Sequence, residues 1–148
     1  MDRRRLLNIS DLLSLSTLSL ATVGEAGEPH VAPVYFAQAE DMRLYFFSEN
    51  HTQHGRDLGK NADASVCIYP ETQSWREIRG LQMRGRVSVV ERGPEWDAAW
   101  SLYVEKFPFA AGMRWMIKRH TLYVFIPGWV RLIDNRSGLG YKEEWTLP

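Results

Sequence analysis

The segment Leu44-Tyr45-Phe46-Phe47-Ser48-Glu49-Asn50-His51-Thr52-Gln53-His54-Gly55-Arg56-Asp57-Leu58-Gly59-Lys60-Asn61 constrains this chain more than any other. Four consecutive bulky apolar residues read as a buried strand that stops at Ser48. A polar segment follows, and Thr52 is placed to start a short helix. Its hydroxyl can accept one of the amide N–H groups that a first helical turn leaves unpaired. Those N–H groups, with the positive end of the helix dipole, suit an anion. His51, His54 and Arg56 add cationic or proton-donating side chains, and Gly55 allows close approach to the backbone. Strand, hydroxyls, basic side chains and helix start read together as a phosphate cradle. A Ser or Thr cap alone is a common structural device, so the rest of the chain has to carry the reading.

Around this segment the pattern is mostly that of strands. Leu6, Ile9 and Leu13, widened by Leu12, predict a short amphipathic helix at the start. From Thr17 the chain alternates, with Leu18, Leu20 and Thr22 on one side and Ser19, Ala21 and Val23 on the other. Gly24 to Glu28 forms a hairpin loop, and Pro29 starts a strand running from His30 to Ala37. Pro33 has no N–H to donate, which places it at an edge or a bulge. Further strands are expected at Ala64–Tyr69, stopped by Pro70, and at Leu81–Val90. In the latter, Leu81, Met83, Val87 and Val89 make an apolar face, and Gln82, Arg84, Arg86 and Ser88 a polar one. Gly93-Pro94 opens a helix, whose Trp96, Trp100, Tyr103, Val104 and Phe107 form a stripe for the core or an interface. Leu122–Ile126 is a strand that Pro127-Gly128 interrupts before Trp129–Ile133, and Tyr141–Leu147 is the last. About seven strands and three helices, without βαβ alternation, favour a small antiparallel barrel with helices at its ends.

At 148 residues, 45% hydrophobic and 24% charged, the chain suits one globular domain spanning 1–148. Lys and Arg (18) balance Asp and Glu (18), so no global field draws nucleic acid or anionic lipid, and anion binding has to be local. Arg3-Arg4-Arg5 precedes a leucine-rich stretch, but Asn8, Ser10 and Asp11 break it well short of a membrane span. The one cysteine, Cys67, cannot form an internal disulfide, and a cytoplasmic location is expected. No Rossmann or Walker glycine pattern is present. His51 and His54 lack a second ligand pair, so no metal is expected.

Three segments carry a resemblance: Ser16–Leu18 with Pro29–Phe36, Phe46–Asn61, and Gly80–Val87. The tail, with Gly138-Leu139-Gly140-Tyr141-Lys142, adds to it. In order and spacing they resemble the pyridoxamine 5′-phosphate oxidase-like, FMN-binding split-barrel superfamily over nearly the whole chain. The resemblance implies a mainly β fold, an antiparallel split barrel, and a homodimer with FMN sites at the subunit interface. By position, Ser48 and Thr52 match hydroxyls that bind FMN phosphate, and His54 stands where many relatives place lysine. Gly55 lies in the same turn. Backbone at Ala32, Pro33, Val34 and Tyr35 would border the flavin ring, Gln82 would point at it, and Lys142 could reach ring or phosphate. The Arg-x-His substrate group of the oxidase itself is missing from the tail. The expectation is therefore an FMN-dependent oxidoreductase acting on another small substrate, with no catalytic side chain named. Two alternatives stand beside it: a flavin-binding or sensing module without turnover, and a barrel binding haem or a deazaflavin through His51 or His54.

Overall fold

The computed structural model describes residues 3–148. Helix α1 (Arg3–Leu13) buries Ile9, Leu12 and Leu13, while Leu6, expected in the same stripe, stays 49% exposed. Strands β1 (Thr17–Val23) and β2 (Pro29–Tyr35) form a hairpin with Leu20 opposite Ala32 and Thr22 opposite His30. Leu18, Leu20 and Thr22 are buried as the alternation predicts. The second strand ends at Tyr35 rather than Ala37. Phe36, fully buried, turns the chain, and Ala37–Gln38 becomes a separate strand, β3, paired with β4 (Leu44–Ser48).

Helix α2 (Gln53–Lys60) leads into β5 (Asp63–Ile68), β6 (Arg79–Val89) and helix α3 (Pro94–Lys106). Two four-residue helices not anticipated from the sequence, α4 (Phe109–Gly112) and α5 (Arg114–Ile117), precede β7 (Thr121–Asp134) and β8 (Lys142–Thr146). Pro108 and Gly112 break this run into pieces too short to show a clear helical period.

The strands form one antiparallel sheet in the order β2-β1-β5-β6-β7-β4-β3, with β8 also pairing on β7. Strand β7 organises it. One edge pairs with β6 throughout; the other takes β4 on its first part, Ser48 opposite Thr121, and β8 on its last, Lys142 opposite Ile133. Two partners on one edge split that side, and the sheet curls until β2 meets β4, giving a half-barrel. β2 is the outermost strand at its end of the sheet, which accommodates Pro33.

The break expected at Pro127-Gly128 is instead a bulge within continuous β7. Arg84 faces Trp129 and Gly85 faces Pro127, leaving Gly128 as the extra residue. A bulge disrupts the ladder locally, which is where proline is tolerated. Val89, expected on the apolar face of β6, is 50% exposed, and Val90 is buried instead against Trp96 and Leu122 where the strand ends.

The main core joins α1 to the inner face of the sheet through Leu12, Leu20, Phe46, Leu81 and Phe125. A second layer explains the unbroken apolar run in β4. Tyr45 and Phe47 point to the other side and pack beneath α3, with Phe47 set edge-on to Trp96, Trp100 and Tyr103 at 5.9, 5.7 and 5.0 Å. With both faces covered, β4 has no solvated side to mark with polar residues.

Candidate functional site

Strand β4 ends at Ser48 and delivers its hydroxyl to the start of α2. Thr52 is the N-cap, its side chain accepting from the Gly55 N–H at 3.1 Å and donating to the Glu49 carbonyl at 2.8 Å. Both capacities of the Thr52 hydroxyl are therefore used inside the turn. Gly55 is also required locally: a Cβ there would sit 2.7 Å from the Asn50 carbonyl oxygen. The tight turn that needs Gly55 brings His54 back onto the strand, and its Nε2 shares a 2.6 Å hydrogen bond with the Ser48 hydroxyl.

Burial pushes the His54 pKa below its ordinary value, with the nearby Asp57 charge working against the shift. The imidazole is accordingly a neutral hydrogen-bonding group at neutral pH, rather than a stand-in for a lysine charge. Basic groups around it are largely engaged. His51 pairs with Glu49 at 2.6 Å, His120 approaches the same carboxylate at 3.3 Å, and Arg56 donates to the His51 carbonyl and to Gln53.

Sequence reasoning missed Asp57. One turn beyond His54, its carboxylate is 3% exposed and accepts from Thr22 of β1 at 2.7 Å and Gln53 at 2.9 Å, with His30 Nδ1 of β2 at 2.8 Å. This cluster fastens α2 to the hairpin and sets the Ser48–His54 pair beside β2. Thr22 and His30 lie 35 and 27 residues from Asp57, so no local spacing reveals them.

The remaining candidates fall into three places. On β2, Ala32 and Val34 point inward, whereas Pro33 and Tyr35 are exposed; the Tyr35 ring stands 5.2 Å from Phe107 and 6.0 Å from Phe109. Gln82 lies on the outer face of the sheet, where it borders an open groove of about 460 Å³ with Val31, Cys67 and Trp129. Lys142 is exposed at the far end of β7, opposite Ile133, whereas Ser48 is opposite Thr121. At about 3.3 Å per residue that separation along the strand is on the order of 40 Å. Within one chain, the fold thus gathers Ser48, Thr52, His54 and Gly55 beside β2, and keeps Lys142 away.

No helix among the described residues is long and apolar enough to cross a membrane. A UPF0306 protein from Serratia proteamaculans is 31% identical over 112 residues, 76% of this chain and 74% of that protein. Among solved structures, a protein related to general stress protein 26, of the pyridoxinephosphate oxidase family, from Clostridium acetobutylicum superposes with a TM-score of 0.76 at 14% identity, covering 99% of this chain and 97% of that one. The haem storage protein HutZ from Vibrio cholerae superposes with a TM-score of 0.70 at 21% identity, covering 84% and 89%. These likenesses show a shared split-barrel fold. The pyridoxamine 5′-phosphate oxidase family model matches residues 9–133, which take in β2, the Ser48–His54 pair and both strands of the bulge, and the chain belongs to that family.

Proposed function

We propose that this chain is an FMN-binding oxidoreductase of small molecules, with the cofactor phosphate received at the Ser48–His54 end of α2. The observation that carries this reading is the 2.6 Å hydrogen bond joining a strand-end hydroxyl to an imidazole at a helix start, beside the edge strand β2. Hydroxyl, imidazole and first-turn N–H groups are the donor set a phosphate requires. FMN, when bound, supplies the electron-carrying ring, and the protein supplies position and electrostatics. In this reading Ser48 and His54 turn their hydrogen bond toward the phosphate, and Thr52 and Gly55 keep the turn tight. Backbone from Ala32 to Tyr35 borders the ring. Haem neighbours such as HutZ support a second ligand class. Against it, the His51 ring is paired with Glu49, and the hydroxyl and first-turn N–H groups beside His54 suit a phosphate rather than a metal.

Titration of the purified protein with FMN and with riboflavin tests the proposal. Ser48→Ala and His54→Ala are each expected to weaken FMN about five- to a hundred-fold, equivalent to ~1–3 kcal/mol, and to leave riboflavin unaffected. Because the two side chains share one bond, the double variant is expected to lose less than the sum. Thr52→Val should act mainly through the lost cap, at about 1 kcal/mol of stability. Burial lowers the His54 pKa in the free protein and a bound phosphate favours its protonated form, so FMN affinity should rise as pH falls from about 8 towards 7, before the phosphate itself begins to protonate near ~6. His54→Ala should abolish that gain. Equal affinity for FMN and riboflavin, or no binding of FMN in the titration, would overturn the assignment.

The distance between Lys142 and Ser48 leads to a further expectation. If Lys142 serves a flavin site, that site belongs to a second copy of the chain, and light scattering should give a dimer mass at micromolar concentration. A monomer that binds FMN tightly would exclude Lys142 from the site.

A further inference from the structure

We propose that α4, α5 and the turn after them form a docking surface for an anionic lipid bilayer. The proposal is independent of the flavin reading. The charge balance of the whole chain hides a local segregation: from Lys106 to Ile133 the sequence contains no Asp or Glu. Arg114, Lys118 and Arg119 lie on α5 or immediately after it. Burial and the positive charges of Arg114 and Arg92 all disfavour the protonated form of Lys118, with the Asp97 charge opposing. Glu49 reaches the segment at His120.

The same segment exposes side chains that water disfavours. Phe109 is 50% exposed, Met113 38%, Trp115 65% and Met116 40%. From Pro108 to Met116, Ala110 alone is buried, and Ile117 at the end of α5 packs against the body beside it. Cations and large apolar groups therefore share one surface.

That combination discriminates between occupants. A nucleic acid would satisfy the cations and leave Phe109, both methionines and Trp115 without apolar contact. A second copy that paired this patch with itself across a twofold axis would set like charges together. A bilayer with anionic headgroups receives the cations at headgroup level and the apolar side chains beneath them. Trp115, with the Arg119 guanidinium 5.6 Å from its ring, has the amphipathic form that favours this depth.

Flotation with vesicles decides the matter. The full chain is mixed with vesicles of phosphatidylcholine alone, or of equal parts phosphatidylcholine and phosphatidylglycerol. Binding is expected to the mixed vesicles only, and to fall as salt is raised from ~0.1 to ~0.5 M. Arg114→Gln with Arg119→Gln should weaken it about twenty-five-fold, near five-fold per charge. Trp115→Ala should weaken it while leaving the salt dependence. Arg76→Gln, at the other end of β7, should change nothing. All of these side chains are exposed, so the variants should fold, and unchanged circular dichroism would confirm it. No flotation with mixed vesicles, equal binding to neutral ones, or indifference to the two arginine changes would overturn the proposal. So would a dimer that Trp115→Ala dissociates in the absence of vesicle binding.

Discussion

Asp57→Ala is expected to cost about 3–4 kcal/mol of stability, a fall in Tm of roughly 10 °C for a chain of this size. Asp57 is 3% exposed and holds the Thr22 hydroxyl, itself 2% exposed, together with Gln53 and His30. Alanine would leave the Thr22 hydroxyl buried without its acceptor and free α2 from the β1–β2 hairpin. Asparagine keeps the shape and one acceptor oxygen but turns an amide N–H₂ toward groups that donate, so it should recover only part of the loss. The dependence on pH has a definite sign. Burial by itself would raise the Asp57 carboxyl; hydrogen bonds from Thr22, Gln53 and His30, with the His30 charge, outweigh it and hold the pKa below the ordinary range. A carboxylate lowered in the folded state contributes fully above its unfolded value, ~3.9, and loses that contribution as pH falls through the folded one. The gap between parent and Asp57→Asn in denaturant melts should therefore narrow on acidification below about pH 4. A loss under ~1 kcal/mol, constant with pH, would show that these donors find other acceptors. In the flavin reading, Asp57→Ala should also weaken FMN, because the helix that carries His54 is no longer fastened.

Gly85→Ala is expected to be similarly damaging, at about 2–4 kcal/mol, for a different reason. A Cβ at Gly85 would lie 2.1 Å from the Ile126 carbonyl oxygen and 2.9 Å from the Pro127 Cα. Both neighbours are backbone, locked in the β6–β7 ladder where it bulges, so relief requires breaking ladder hydrogen bonds. The matched control is Gly59→Ala. Gly59 lies within α2 with nothing within 4 Å of its Cβ position, and alanine there should stabilise by about 0.5–1 kcal/mol. Opposite signs for one chemical change would locate the effect in the bulge. A mild Gly85→Ala variant would mean that the strands can part there at little cost.

Much of the candidate site was legible because its signals are local. The β4 run, the Thr52 cap and the helix up to Lys60 lie within one stretch, and each follows from residue type and spacing alone. Pro33 announced an edge strand or a bulge for an equally local reason, its missing N–H, and the sheet order places it on the edge strand β2. Local reading failed where a second element changed the meaning of a pattern. Pro127-Gly128 resembles a strand break in isolation and becomes a bulge only against Arg84 and Gly85. Residue type left the charge of the His54 ring open, and burial on folding lowers its pKa. Helices α4 and α5 escaped notice because four residues are too few to display a period.

The sequence by itself determined the antiparallel β class, the alternation of buried residues in β1, and the turn that sets the Ser48 and Thr52 hydroxyls at a helix start. These depend on interactions a few residues long, governed by backbone geometry and the side-chain period. Only the tertiary structure decided which groups meet. It placed His54 against Ser48, buried Asp57 beneath the hairpin, assigned Gln82 to the outer sheet face, and put Lys142 at the opposite end of β7. Contacts between residues 27 or 35 apart depend on register and on how far the sheet curls. Both are collective results of packing two faces at once, and no single segment encodes them.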